Sequence, residues 1–567
     1  MQPTALAATL ALCLLALPAP ARQLPTSTQT VTVTGDLSLF GHAHFSSISD
    51  DGSRVAFLSV GNSSGTDTCI DVYVRDLPAG ALTPIATCDA ATGGPSAGIA
   101  SLSGDGSQVA WSSAAPGGPV QVRAVAGGPV EVLSVGPSGP ADASSTWPSC
   151  SFDGSQVAFH SGATNLSVPP LSSAGSTNVF VRDRSANRTV LISRQTNGLP
   201  ATGFSLYPDV SRDGRFVAFA SNNGQLVSSP PDLNNLFDVF VRDRDPDRNG
   251  VFDEGNAVTV KVSVASNGDP ADQASDRPSI SADGRFVAFS SLASNLDPVP
   301  ANQPQIYVHD RDPDGNGDFY DTLGTTERVS VNAFGIPADL GGCFNPDLSG
   351  DGRYVAYVTG STNLVPNDTI DYRDVFVHDR LTGQTILASS TSTGLPGNDD
   401  SEVFLFGPGP SVARNGARVS FASFATNLAG PGADGFDDVF AKDLCAPVGL
   451  DLGFGLAGFG GVAPYFTACG SLKLGGSALV RLSDARPFAP AFLYLDFALT
   501  PTPLLGGTFA VVPAVPLPFP TGPDGLVETL VPGGLGPLTV FAQWAVLDPA
   551  GPQGAAFSNA LRIDLVP

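Results

Sequence analysis

The stretch Ser211-Arg212-Asp213-Gly214-Arg215-Phe216-Val217-Ala218-Phe219-Ala220-Ser221 constrains this chain more than any other. Asp-Gly is the strongest short signal for a tight two-residue hairpin, in which both central residues take positive φ. The Phe-Val-Ala-Phe that follows has almost no polar face, so a strand made of it must be covered on both sides. The turn recurs at Asp51-Gly52, Asp105-Gly106, Asp153-Gly154, Asp283-Gly284 and Asp351-Gly352, and as Asn415-Gly416. The same strand follows each turn, as in Val55-Ala56-Phe57, Val109-Ala110-Trp111, Val287-Ala288-Phe289 and Val355-Ala356-Tyr357.

A third element follows in most copies, for example Asn178-Val179-Phe180-Val181-Arg182-Asp183 and Asp374-Val375-Phe376-Val377-His378-Asp379. A fourth, such as Thr189-Val190-Leu191-Ile192, completes the unit. Four strands per unit, at a period somewhat above the roughly 40–50 residues of known blade repeats, predict a β-propeller. The recurring Ala suits blades stacked face to face with little room between them. The Asp-Gly-Arg-x-Val-Ala-Phe-x-Ser strand, with Asp-Val-Phe-Val-Arg-Asp after it, resembles the WD40-like repeats of TolB-type propellers in exported bacterial proteins. The resemblance covers about three quarters of the chain and implies a fold; fold alone does not fix activity.

Thr30-Val31-Thr32-Val33-Thr34 precedes the first turn in the register of a fourth strand, and the seventh unit stops after its third strand at Asp443-Leu444. A ring of seven blades is therefore expected to close between Val31–Val33 and Val439–Phe440, which removes two exposed sheet edges. Residues 445–567 change character. The Asp-Gly turns stop, and runs such as Leu538–Val546 and Asn559–Leu565 read as strands between Gly/Pro turns. They predict a small β-sandwich that resembles the C-terminal modules of secreted repeat proteins. The expected fold is thus all-β: a signal peptide at 1–21, a seven-bladed propeller at 22–444 and a β-sandwich module at 445–567.

The signal-peptide assignment rests on the apolar run Ala5–Pro18, too short to span a bilayer, followed by Ala19-Pro20-Ala21. No later segment reads as transmembrane, so a periplasmic, cell-surface or secreted protein is expected. The formal charge of −25, without a cluster among the 28 Lys plus Arg, argues against nucleic acid. Six cysteines remain after signal removal, and an even number in an exported chain favours disulfides. Cys69 and Cys88 flank a predicted hairpin that brings them opposite each other, and Cys445 with Cys469 would staple the start of the C-terminal module. Cys150 and Cys343, in blades far apart, read as buried thiols.

The strongest chemical motif is a pair of acidic turns between third and fourth strands. Asp245-Pro246-Asp247-Arg248-Asn249-Gly250 in blade four and Asp312-Pro313-Asp314-Gly315-Asn316-Gly317 in blade five each match the first half of a calcium-binding loop. Oxygens at positions one, three and five converge, and Gly at six makes the sharp turn. The backbone carbonyl at position seven (Val251, Asp318) would add a ligand, and Asp253, Glu254 or Asp321 would stand in for the usual bidentate Glu, giving a structural calcium turn; the plain alternative is a solvated acidic turn. Gly94-Pro95-Ser96-Ala97-Gly98 and Gly453-Phe454-Gly455-Leu456-Ala457-Gly458 match a nucleophile elbow and a dinucleotide fingerprint, but neither has the helix its chemistry needs. No catalytic residue is assigned.

The leading expectation is an exported, non-enzymatic binding or scaffold protein of the cell envelope or surface, meeting a protein or glycan partner through the loops at one end of the ring. The rival is a glycan hydrolase or lyase working in the propeller funnel, which requires a cluster of acids, His or Arg at the channel mouth that is not repeated by blade. A third reading is a purely structural surface protein anchored by its C-terminal module.

Overall fold

The computed structural model describes residues 28–30, 43–60, 70–77, 80–88, 97–167, 171, 175–228 apart from 196, 234–299 and 303–320. It further describes 324–402 apart from 367, 382 and 392–393, then 407–428, 437–444 and mainly the strands of 449–565. Contacts divide the chain into two units, Ser27–Asp314 with Asp318–Leu444, and Met1–Thr26 and Gly315–Gly317 with Cys445–Pro567.

The first unit contains seven antiparallel four-stranded sheets among the described residues. Six are built from consecutive strands, as in Ser145–Cys150, Gln156–Ser161, Asn178–Asp183 and Arg188–Leu191. The second strand of each is the greasy one. Gln156–Ser161, Phe216–Ser221 and Tyr354–Thr359 are buried along their whole length, and the central alanines 56, 110, 158, 218, 288 and 356 are fully buried. Each sheet packs on the next through one apolar cluster. Ala158 and Val181 of the third sheet, for example, meet Val217, Phe219 and Phe240 of the fourth. The last such cluster joins Ile48, Val55 and Phe57 of the first sheet to Ala422, Val439 and Ala441 of the seventh. Sheet two, the weakest copy in sequence, still has four strands, ending in the short Glu131–Val132.

The seventh sheet takes its outer strand from the N-terminus: Thr28–Thr30 pairs antiparallel with Asp438–Asp443, Gln29 opposite Ala441 and Thr30 opposite Phe440. The described pairing ends where the expected one begins, and Val31–Val33 lie outside the described residues.

The hairpins also differ from expectation. Only the glycine of each Asp-Gly pair has positive φ, between 66° and 81° across the seven copies, while no Asp does. In the fourth sheet Ser211 N–H donates to Phe216 O, and Gly214 N–H donates to Ser211 O. This encloses a four-residue loop rather than a two-residue one. The Asp213 carboxylate explains the choice, because it accepts from Ser211 Oγ (2.7 Å) and from Arg215 N–H (2.9 Å) and stitches the longer turn internally.

The Arg after the turn and the Asp ending the third strand form an ion pair in five sheets: Arg54–Asp76, Arg215–Asp243, Arg285–Asp310, Arg353–Asp379 and Arg418–Asp443, at 2.6–2.8 Å. Repetition marks these charges as scaffold, as their recurrence in the sequence implies.

In the second unit, Tyr465–Gly470, Ser477–Ser483 and Val527–Pro532 form a three-stranded sheet. Gly449–Asp451, Ala555–Leu565, Leu538–Leu547, Pro490–Asp496 and Val515–Pro520 form a five-stranded one. Trp544 is fully buried and meets the Phe519 ring edge-on at 5.4 Å. Among the described residues no helix is long and apolar enough to cross a membrane.

Candidate functional site: the axial channel

The first strands of the sheets line a shared cavity of ≈ 170 Å³. Its walls are layered. The deepest layer is Ser47, Ser101, Ser149, Asp209, Ser279, Asp347 and Ser411, one from each sheet. Each accepts a backbone N–H from the first strand of the following sheet. Leu102 donates to Ser47 Oγ (3.0 Å), Cys150 to Ser101 (3.2 Å) and Val210 to Ser149 (3.1 Å). Ile280 donates to Asp209 Oδ2 (2.8 Å), Leu348 to Ser279 (3.1 Å) and Val412 to Asp347 Oδ2 (2.7 Å). The seventh bond returns to the start, Ile48 N–H donating to Ser411 Oγ at 3.3 Å. A second circuit of backbone bonds runs beside the Asp-Gly turns, from Asp50 N–H to Gly104 O onward through each sheet to Asn415 N–H on Asp50 O.

Asp209 and Asp347 therefore do what serine does in the other sheets. Each carboxylate also accepts a serine hydroxyl, Ser149 on Asp209 and Ser279 on Asp347. Burial pushes Asp347 up to about 6, against the N–H bond of Val412 that lowers it, with the nearby charge of Asp209 adding to the rise.

The turn end of this channel is barred by charge. Asp50 bridges Arg212 (2.9 Å) and Arg414 (3.5 Å), and the Arg212 guanidinium lies 3.9 Å over the Phe152 ring. Asp50 packs tightly on Gly104, where a Cβ would sit 2.5 Å from Asp50 Oδ1 and would push the carboxylate aside.

The opposite mouth is lined by side chains that differ from sheet to sheet. The first strands of six sheets carry a register shift: Ala97/Ala100 in the second sheet, and a β-bulge at His44/Ser47, Thr146/Ser149, Leu206/Asp209, Asp276/Ser279 and Phe344/Asp347 in five others. The bulged residues Phe45, Trp147, Tyr207, Arg277 and Asn345 all take left-handed φ of 50° to 60°. For residues with a Cβ this costs on the order of 1–2 kcal/mol each, a strain characteristic of functional positions. Trp147 and Tyr207 meet edge-on at 4.7 Å, and Arg277 lies 4.6 Å over Tyr207 and 5.2 Å over Trp147. His160 stacks on Trp147 and accepts the Tyr207 N–H (3.2 Å); burial lowers its pKa to about 4, so it stays neutral. In the seventh sheet the bulge is replaced by an insertion after Glu402, whose described end, Gly407–Pro410, reaches this mouth. There Gly407 O accepts from Arg277 (2.8 Å).

Sequence reasoning missed this mouth, although a signal existed. Trp147-Pro148-Ser149, Tyr207-Pro208-Asp209, Arg277-Pro278-Ser279, Asn345-Pro346-Asp347 and Gly409-Pro410-Ser411 share x-Pro-Ser/Asp at one distance before the turn. His160 is buried and supports the mouth through Trp147 and Tyr207.

The acidic turns lie elsewhere, between third and fourth strands. Asp245 accepts from Asn249 N–H and Gly250 N–H, Asn249 Nδ2 donates to Asp247 and Glu254, and Asp253 is held by Arg244 at 2.7 Å. Asp245, Asp247, Asn249 and Glu254 thus share the loop, while Asp253 is turned to a guanidinium. Among the described residues no group of three or more His, Cys, Asp or Glu is placed to hold a metal ion. In the fifth-sheet copy Asp318 accepts from Tyr320 N–H (3.0 Å) and Asp312 N–H donates to Asp310. Asp314 and Asn316 lie in the same turn, and Asp321 lies outside the described residues.

Cys150 and Cys343 are buried free thiols, pushed up by burial to about 11 and about 12. Cys88 is disulfide-bonded. Its expected partner Cys69, and Cys445, lie outside the described residues, and only the backbone of Cys469 is described.

The fold is a β-propeller. The chain is similar to TolB from Acinetobacter baumannii at 12% identity and a TM-score of 0.34, over 61% of this chain and 62% of that one. It is similar to the β-propeller domain of the Trilobed protease from Pyrococcus furiosus at 10% identity and a TM-score of 0.42, over 71% and 96%. It is also similar to a prolyl endopeptidase at 14% identity and a TM-score of 0.43, over 79% and 56%. The chain thus spans less than two thirds of the TolB and prolyl endopeptidase chains. No family model and no curated protein matches it.

Proposed function

We propose that the seven sheets are the blades of one closed ring at residues 22–444, locked by the strand Thr28–Thr30, and that its channel mouth is a binding surface. In this reading the protein is an exported, non-enzymatic binder of the cell envelope or surface. Residues 1–21 direct export, and residues 445–567 form a separate β-sandwich.

One observation carries the functional part. The turns, buried strands and Arg–Asp pairs repeat in most sheets, whereas the strained bulge positions of five sheets hold Phe45, Trp147, Tyr207, Arg277 and Asn345 in turn. Aromatic and Arg side chains at an irregular concave mouth are the composition of a binding hot spot. The requirement set for the enzymatic rival, non-repeated charge at the mouth, is met by Arg277, but the acids do not follow. Asp209 and Asp347 are each engaged by N–H and hydroxyl donors of the neighbouring sheets, in the place that serine holds in the others. The histidine rings also have structural employment: His44 Nδ1 bonds Asp437, His309 bonds Thr326, and His378 bonds Thr385. No hydrolase or lyase mechanism is therefore advanced.

Calcium at the two acidic turns is retained as a stabilising proposal, with Asp245, Asp247, Asn249 and Glu254 as the ligands of the first. The test of the binding reading is capture of envelope proteins and of a glycan array by the purified chain and by Tyr207→Ala. A partner lost with Tyr207→Ala but kept by a variant of the turn end, Arg212→Ala, supports it. Turnover of a glycan, abolished in Asp209→Asn, would replace it with the enzymatic one.

A further inference from the structure

Two polar side chains at the mouth, Asn345 and Ser46, are left without hydrogen-bond partners by the fold, and a buried cation, Arg277, stands beside them with a single hydrogen bond. Asn345 is 4% exposed, and neither its Oδ1 nor its Nδ2 has a hydrogen-bond partner. Ser46, also 4% exposed, has a buried Oγ without a partner. Arg277 is 9% exposed and donates one bond, to Gly407 O. Its compensation comes from the Tyr207 and Trp147 rings and from Asp276, a neighbour that burial itself pushes toward the neutral acid. All three groups line the same cavity. Buried polar groups are almost always bonded, and buried charges are paired; a cluster of exceptions around one space points to a missing occupant.

The occupant's chemistry follows from what is unanswered. A guanidinium accepts no bonds and prefers a planar, two-oxygen anion. Asn345 Nδ2 and Ser46 Oγ can donate to the same anion. Asn345 Oδ1 demands a donor close to it, which a sulfate, carrying only acceptors, does not supply. The space, ≈ 170 Å³, is near that of cavities of about 150 Å³ that admit a benzene-sized molecule. We propose that the mouth binds a small carboxylate that carries a hydrogen-bond donor on a neighbouring atom. Arg277 grips the carboxylate, Ser46 and Asn345 Nδ2 donate to it, and Asn345 Oδ1 takes the donor. A free hydroxy or acylamino acid and the C-terminal residue of a peptide present the same group. The assignment rests on the mouth being a binding surface.

Trp147 is the reporter. The full chain is titrated with N-acetylglycine, with N-acetylglycinamide and with an acetylated pentapeptide ending in a free glycine carboxylate, following tryptophan fluorescence against a Trp147→Phe control. Saturable binding of N-acetylglycine below about 10 mM is expected, with the amide weaker by about tenfold or more. Tighter binding of the peptide identifies a chain terminus as the source, and equal binding a free acid. Arg277→Gln and Asn345→Asp each weaken binding by about tenfold while the protein stays folded by its melting curve; Arg277→Lys, which keeps the charge, serves if Arg277→Gln does not fold. Equal response to acid and amide, or no saturable response to either carboxylate, overturns the assignment. Loss of carboxylate binding while partner capture still depends on Tyr207 defeats this inference alone; loss of both defeats the binding reading as well.

Discussion

Glu402 gives the sharpest prediction about the junction of the first and last sheets. It is 3% exposed with φ of 51°, and its Oε1 accepts the Ala422 N–H at 2.8 Å. The carboxylate of Asp437, bonded to His44 of the first sheet, lies near it. Burial, reinforced by Asp437 and opposed by the Ala422 bond, raises its pKa from 4.5 to about 8. The folded state therefore holds a proton that the unfolded chain releases above pH 4.5. Stability contributed by this group is fully present below that pH and is lost as pH rises through about 8. At about 1.36 kcal/mol per unit the whole shift is worth on the order of 4–5 kcal/mol. Glu402→Gln keeps the acceptor oxygen and removes the titration. Urea unfolding followed by tryptophan fluorescence in a Trp544→Phe background, at several pH values from 5 to 9, should show the variant gaining several kcal/mol on the wild type as pH rises. The difference isolates this residue from Asp374 and Asp347, which burial raises in the same sense. Parallel pH curves for the two proteins would refute the placement of Glu402 in a dry interface.

Arg353→Ala removes the bidentate guanidinium from the buried Asp379 carboxylate, which keeps the Leu381 N–H, and should cost about 3 kcal/mol in urea denaturation, with no change in binding at the mouth. Ala356→Leu, in the fully buried face between sheets, should cost about 1–3 kcal/mol by overpacking. Cys150 and Cys343 should not react with a thiol reagent until the protein is unfolded in urea, since both are buried and held protonated. If the acidic turns hold calcium, a chelator should lower the melting temperature by a few degrees, and Asp245→Ala should abolish the difference; an unchanged melt assigns them as self-bonded turns.

The repeat was readable because a turn, a greasy strand and an Arg-Asp pair recur with the same spacing, and each has a local physical cause. Turn type was not, because the Asp213 carboxylate chooses between loop geometries only once Ser211 and Arg215 are in place. The mouth escaped for a different reason. Phe45, Trp147, Tyr207, Arg277 and Asn345 share no chemistry, only a backbone conformation, and a bulge that admits any side chain leaves little trace beyond the proline after it. The cation character of Arg277 and the orphaned amide of Asn345 belong to three-dimensional context, since neither residue is unusual in its own segment.

The account depends most on the ring being shut by the N-terminal strand. The pairing places Gln29 opposite Ala441, so a Gln29→Cys, Ala441→Cys double variant should form an intramolecular disulfide on mild oxidation, identified by mass spectrometry of proteolytic fragments. A Thr32→Cys, Ala441→Cys control should not. Absence of the first cross-link, or equal yield from both pairs, would contradict a ring locked in this register.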